Sequence, residues 1–269
     1  MQYEPFKEFA EKFLKKSTFT RKLFYFFLNL LFLRSWHLHK ALRKISKMLP
    51  SDSNVLDAGS GLGQHSWWMA RKNSGWKIKG IDIITEQVSG CNEFFIKEGM
   101  GSRVSFVTAD LTEFQEENLY NLIISVDVME HIKNDIQVFR NFFNALKPGG
   151  VLLITTPSNM GGSGITAGSP SSFIDEHVRN GYGKEEIQLK LQAAGFNKTT
   201  SEYTYGKLGH LSWLISIKYP ALLINKSGLF FAVLPFYYLL TLPFALILNL
   251  TDLKIKHNSG TGLLVFSVK

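Results

Sequence analysis

The sequence predicts an α/β fold, a parallel sheet with helices on both faces, on three observations. Apolar runs of strand length alternate with helical stretches five times between residues 54 and 157. The first run, Asn54-Val55-Leu56, ends in Asp57 and a glycine turn of spacing D-x-G-x-G-x-G through Gly59, Gly61 and Gly63. Acidic residues close successive runs at Asp57, Asp82 and Asp110. A strand, a glycine turn and a helix make the opening half of a nucleotide-binding unit. Glycine tolerates the positive φ of the bend and lets a ligand lie on the backbone, and the helix N-terminus behind it offers free amides.

Composition bounds the rest. A chain of 269 residues, 45% apolar and 19% charged, suits one large domain with a substantial core and an appended element. The formal charge of +8 favours acidic partners and leaves nucleic acid, an anionic membrane surface and phosphorylated substrates open. Cys91 is the single cysteine, so no internal disulfide or cysteine zinc cluster forms, and its helical setting makes it a small core residue. Residues 7–16 are charged and no small-residue cleavage site follows the apolar run behind them, so the expected location is cytoplasmic.

Taken in order, residues 1–50 form an N-terminal helical segment. Phe6, Phe9, Phe13 and Leu14 recur at helical spacing, and LFYFFLNLLFL at 23–33 is bracketed by Arg21, Lys22 and Arg34. Eleven residues are too few to span a bilayer; the stretch reads either as a helix packed on the domain or as a basic, aromatic helix in a membrane interface. Residues 51–205 hold the alternation. The first strand leads through the glycine turn to a helix ending near Arg71. A second strand at 77–81 ends in Asp82, with a helix at 86–98. A third at 104–107 leads to Asp110 and Leu111. A fourth at 121–126 reaches Asp127-Val128-Met129-Glu130-His131. A helix at 132–146 stops at Lys147-Pro148-Gly149-Gly150, and a fifth strand covers 151–155. Residues 158–172, rich in glycine and serine, read as a mobile loop covering a site. A helix at 184–194 and strands at 199–205 and 263–268 follow, the last within a final core segment at 260–269.

Residues 206–259 form an apolar insertion between those last two strands. From 227 to 250 no residue is charged, and as one helix this stretch would be long enough to cross a bilayer. Both flanking strands belong to one sheet, so the insertion leaves and returns on the same side. Pro235 and Pro243 are expected to interrupt a single helix. The expectation is a helical pair, re-entrant or lying on a surface, flanked by Lys218, Lys226, Lys254 and Lys256. A cap on the protein's own core or a homodimer seam is the other reading.

Each acid alone reads as a helix cap or turn residue; three in register with strand ends point to a ligand. A dinucleotide site wants G-x-G-x-x-G, and here the third glycine comes one residue early. The pattern resembles the class I S-adenosylmethionine-dependent methyltransferases through VLDAGSGLG, GIDI, TADL, the 127–131 stretch and LKPGGVLLITTPS, over roughly residues 54–205. The resemblance implies a doubly wound, seven-stranded, mostly parallel Rossmann-like sheet, with the last two strands as an antiparallel pair at one edge. It implies S-adenosyl-L-methionine as cofactor, released as S-adenosyl-L-homocysteine. Gly59, Ser60, Gly61 and Gly63 would line the methionine moiety, with Asp57 fixing the turn and approaching the ammonium. Asp82 would hold the ribose diol with Ile83 beside the adenine, Asp110 would meet the adenine amino group with Leu111 nearby, and Val126 and Asp127 would pass under the sulfonium.

Methyl transfer is a direct displacement at a sulfonium carbon, which requires alignment and exclusion of water and needs no metal. A hydroxyl or acidic-carbon nucleophile also needs a base, and His131 and His177 are the candidates. His65 reads as a helix-start residue; His37 and His39, beside Arg34 and Trp36, are placed to reach the cofactor carboxylate. Amino-directed nucleic-acid methyltransferases of this fold carry a D/N-P-P-Y-type tetrapeptide after the fourth strand. Asp127-Val128-Met129-Glu130 stands there instead, so a small molecule is expected and nucleic acid is not. The expected function is methylation of a lipophilic small molecule or lipid intermediate, with peripheral membrane contact through the N-terminal helix and residues 211–250 at the inner face. The alternatives are a soluble natural-product O- or N-methyltransferase and a non-catalytic, cofactor-binding membrane partner.

Overall fold

The computed structural model describes residues 17–161, 178–227 and 230–269, with backbone only for Asn225, Lys226 and Phe231. The expectations for residues 1–16, for most of the glycine-serine loop and for His177 lie outside the described residues.

The chain begins with α1 (Thr18–Leu31), capped by Ser17, whose hydroxyl accepts from Thr20 N at 3.1 Å. Helix α2 (Leu33–Ile45) follows after a bend at Phe32, so the apolar run at 23–33 is split between two helices. The inner face of α1 packs: buried Arg21 donates to Leu62 O at 2.9 Å and Gly90 O at 2.5 Å, and Tyr25 OH donates to Leu62 O. Its outer face carries Phe19, Phe26 and Phe27, all exposed.

Strands β1 (Asn54–Ala58), β2 (Lys77–Asp82), β3 (Val104–Thr108), β4 (Tyr120–Val126) and β5 (Leu146–Pro157) are parallel, and β6 (Lys198–Thr204) and β7 (Gly262–Val268) complete a seven-stranded sheet in the order β3-β2-β1-β4-β5-β7-β6. β7 runs antiparallel to both neighbours. This is the doubly wound α/β sheet that the alternation predicts, and its order reverses between β1 and β4.

Alternate residues of each strand feed opposite cores. Val55, Ile78, Leu122 and Leu153 meet Tyr25, Leu42, Trp67 and Phe95 from α1, α2, α3 (Gln64–Lys72) and α4 (Thr85–Lys97). Leu56, Ile123 and Leu152 meet Phe139, Phe142 and Leu191 from α5 (Asp135–Ala145) and α6 (Lys184–Ala193). Cys91 is fully buried, and burial pushes its thiol up to about 12, as suits a core residue.

Two boundaries differ from expectation. Helix α5 starts at Asp135, because that carboxylate is claimed by Arg179, by Lys190 Nζ at 2.8 Å and by Tyr182 OH at 2.6 Å. Lys147-Pro148-Gly149-Gly150 lies inside β5 instead of ending a helix; a register shift against β4 between Tyr120 and Leu122 absorbs it.

The insertion is a helical hairpin. Its outgoing arm is α7 (Lys207–Trp213), one π turn (Leu214–Lys218) and α8 (Tyr219–Lys226); its returning arm is α9 (Phe230–Asp252). Contrary to expectation, α9 continues through Pro235 and Pro243. Each proline removes a single backbone bond, and bonds to the facing arm hold the helix. Ser212 Oγ donates to Ala245 O at 3.0 Å, Tyr237 OH to Ile215 O at 2.6 Å and Tyr238 OH to Ser216 O at 2.7 Å. Polar groups therefore face inward, while Phe236, Leu239, Leu240 and Phe244 are 67–74% exposed. Those four side chains do not pack on the chain's own core. Thr204 and Pro157 both sit opposite Gly262, so the hairpin is rooted at the carboxyl-end edge of the parallel strands.

Candidate functional site

The site forms where β1 and β4 diverge. Gly59 (φ 78°), Gly61 (φ 50°) and Gly63 (φ 77°) all take the left-handed conformation. Gly59 N and Ser60 N both donate to Ile81 O at 2.8 Å, which straps the turn to β2. A side chain at Gly59 would strike Val128, whereas one at Gly61 would meet only Gln87 Oε1 at 3.8 Å, so an open cradle lies over the middle glycine.

Asp57 is buried, and its carboxylate accepts from Ser66 Oγ at 2.6 Å. It therefore ties β1 to the start of α3. Burial raises its carboxyl to about 6, against the pull of Ser66 and with help from Asp82. Asp82, at the end of β2, accepts from Gly61 N at 2.7 Å through one oxygen and from Ile84 N at 3.0 Å through the other. Ile83 beside it is 68% exposed, an apolar surface on which a flat ring can lie. Asp110 is exposed and accepts from Thr112 N at 2.8 Å and Thr112 Oγ1 at 2.7 Å, an Asx turn; Leu111 is buried in the core.

At the end of β4, past Val126, Asp127 has φ 55°, and its N–H donates to Thr155 O at 2.9 Å. Its carboxylate pairs with Arg34 of α2. Arg34 also donates its backbone N–H to Tyr205 OH at 2.8 Å and lies over that ring. Beyond Asp127, a single 3₁₀ turn (Met129–His131) exposes His131 and buries Glu130. Thr156 Oγ1 donates to Glu130 at 3.1 Å. Burial raises the Glu130 carboxyl above the ordinary range, partly offset by the positive charge of Arg34. Val178 N donates to Glu130 O at 3.0 Å, which brings the chain just past His177 to this turn.

The histidines near α2 divide. His37 turns away from the site, its Nε2 3.2 Å from Asp252 at the hairpin root, so it does not serve a cofactor carboxylate. His39 stacks on Trp68 at 4.1 Å, and burial lowers it to about 3. His65 begins α3 as expected, and burial lowers it to about 4. Both rings are neutral at physiological pH.

S-Adenosylmethionine fits this set of residues. Ser60 Oγ, Gln64 Oε1, His65 Nδ1 and Asp127 Oδ1 are buried without a partner among the described residues, on or next to the glycine turn and the end of β4. Such orphaned donors and acceptors suit a ligand bearing both an ammonium and a carboxylate. The open cradle over Gly61 and the exposed Ile83 provide room for the rest. Asp57, Gly59, Ser60, Gly61, Gly63, Asp82, Ile83, Val126 and Asp127 converge here, with Asp110 at the neighbouring strand end.

A topological switch point with a glycine turn and acids on strand ends defines a class I, Rossmann-like methyltransferase fold. The methyltransferase-domain family model matches residues 33–201, more than half of the chain, and the chain belongs to that family. Phosphoethanolamine N-methyltransferase 1 of Arabidopsis thaliana is 32% identical over 164 residues, covering 59% of this chain and 32% of that protein. The ubiquinone biosynthesis O-methyltransferase of Rickettsia felis is 26% identical over 106 residues, covering 39% and 42%. Among solved structures, Haemonchus contortus phosphoethanolamine N-methyltransferase 2, in complex with phosphomonomethylethanolamine and S-adenosylhomocysteine, superposes with a TM-score of 0.58 at 22% identity, covering 82% of this chain and 49% of that one. The [4+2]-cyclase SpnF superposes at 0.57 with 19% identity, covering 86% and 80%. The chain thus spans about a third of the length of the first curated relatives it matches. S-Adenosylmethionine is the family's methyl donor.

Arg34 and Tyr205 lie outside the candidate site set read from the sequence. They are 171 residues apart, and nothing local marks their meeting.

Proposed function

We propose that this chain transfers a methyl group from S-adenosylmethionine to a lipophilic small molecule or lipid intermediate, with its apolar hairpin resting in the membrane surface. Bound donor supplies an electrophilic methyl on a sulfonium. Asp82 and Ile83 take the ribose and adenine, the glycine turn takes the methionine end, and Asp127 with Arg34 closes the floor beneath the reacting carbon. Holding donor and acceptor in line is worth roughly 7–11 kcal/mol of barrier at best. For a hydroxyl acceptor, Glu130 or His131 at the β4 turn receives the proton; His177 is the other proposed base.

The observation that carries the membrane reading is the hairpin's inverted polarity: hydroxyls inside, Phe236, Leu239, Leu240 and Phe244 outside, rooted on the same sheet edge as the cofactor turn. Water is a poor solvent for such a face, and burying it is worth roughly 25 cal/mol per Å². The test has two arms. The wild type should co-sediment with vesicles and label a lipid extract from methyl-labelled donor. The Phe236→Glu/Leu240→Glu variant should stay in the supernatant with an unchanged Tm. A homodimer sealed by this face predicts the opposite: a dimer in buffer, no vesicle binding and a water-soluble labelled product.

A further inference from the structure

A cavity of about 250 Å³ lies at the root of the hairpin, between Gly206-Lys207-Leu208, where the chain leaves the sheet, and residues 255–259, where it returns. Lys207 and Lys256 line it; both are exposed and neither has a carboxylate partner among the described residues. No acidic side chain lines it. Asp252, whose carboxylate meets the lining residue His257, is fully buried and already committed. Its carboxylate lies 3.2 Å from the Nε2 atoms of His37 and His257 and accepts from Gly209 N at 2.9 Å. Ile255, 47% exposed, gives the cavity an apolar lip, and Leu211 and Leu250 of the hairpin are exposed as well.

The backbone around the cavity is cross-tied. The Asp252 node ties α7, α9, α2 and the returning segment together, and Lys40 Nζ donates to Leu253 O at 2.5 Å. Two cations without a carboxylate partner among the described residues, beside the exposed Ile255 where an apolar hairpin leaves the protein body, match a phosphate carried on acyl chains.

We propose that this cavity binds the phosphate headgroup of an anionic phospholipid and so sets the depth and orientation of the hairpin in the membrane. The proposal rests on the membrane reading above. A hairpin lying in the acyl region places its own root at headgroup level, where a basic side chain strengthens attachment to anionic lipid about fivefold. Lys207 and Lys256 together then contribute about 25-fold.

The full chain is titrated with phosphatidylcholine vesicles and with vesicles containing phosphatidylglycerol, alongside Lys207→Ala/Lys256→Ala. A Lys72→Ala/Lys77→Ala variant, with the same charge change at the opposite sheet edge, serves as control. Expected are preferential binding to phosphatidylglycerol, loss of about 25-fold in the root variant, little change in the control, and unchanged phosphatidylcholine binding, Tm and S-adenosylhomocysteine affinity. Equal losses in both variants would mean a diffuse electrostatic effect and overturn the site. A root variant that binds as the wild type does overturns it too, while leaving hairpin docking intact. Saturable binding of free glycerol phosphate that needs Lys207 and Lys256, without any vesicle preference, would reassign the cavity to a soluble phosphate. Wild type that binds no vesicle at all sinks the membrane reading together with the cavity proposal.

Discussion

At the scale of single residues, two carboxylates in one site do different work because their surroundings differ. Asp57 is sealed in with Ser66, and its carboxyl lies near 6, above its unfolded value. Between about pH 4 and pH 6 the folded state therefore holds a proton there that the unfolded chain has lost. Its contribution is favourable below the unfolded value and is lost as pH rises through about 6, costing about 3 kcal/mol at neutral pH relative to a site with no shift. Asp57→Asn keeps an acceptor for Ser66 and cannot ionise. Relative to this variant, the wild type should lose stability between pH 4 and pH 7, read as the difference in Tm. Asp82 instead spends both oxygens on backbone amides at the open side of the turn. Asp82→Ala removes a charged acceptor and frees Gly61 N, so S-adenosylhomocysteine should bind about ten- to a hundredfold more weakly in calorimetry. Unchanged affinity would remove Asp82 from the ribose site.

At the scale of elements, the two arms of the hairpin hold each other through hydroxyls that donate to facing backbone carbonyls. The π turn widens the outgoing arm, and the carbonyls of Ile215 and Ser216 receive the hydroxyls of Tyr237 and Tyr238 from the returning one. Tyr237→Phe and Tyr238→Phe should each cost about 0.5–1.5 kcal/mol, seen in urea melts and as faster amide exchange confined to the two arms. Losses well below that range would mean that water replaces the tyrosines and that the seam is wet. These bonds also hold α9 in place where Pro235 and Pro243 interrupt its own ladder. Sequence shows the two bonds that Pro235 and Pro243 remove, but not the bonds from the facing arm that compensate.

At the scale of the whole molecule, what was legible in the sequence is what local pattern controls. Five alternations, a glycine turn and acids at strand ends specify the sheet and the ligand end of it, because each depends on neighbours within a few residues. Edge pairing of β6 with β7 came from resemblance and is seen here in register. What stayed hidden depends on distant segments meeting: Arg34 with Asp127 and Tyr205, and His37 with Asp252 instead of the site. His37 and His39 stand beside Arg34 and Trp36 in the sequence, but His37 faces the hairpin root. One helical turn separates the residue that faces the site from the one that faces the hairpin.

Thr204 and Gly262 stand directly across the β6–β7 ladder, so the polypeptide leaves and re-enters the sheet one strand spacing apart. A two-residue β-turn could span the same gap. The closure that the sheet demands is therefore independent of what hangs between those ends, and an excursion of fifty-odd residues enters as a side branch without shifting any register. The pairing of β6 with β7 sets where the branch begins and ends, and nothing in that ladder fixes its length.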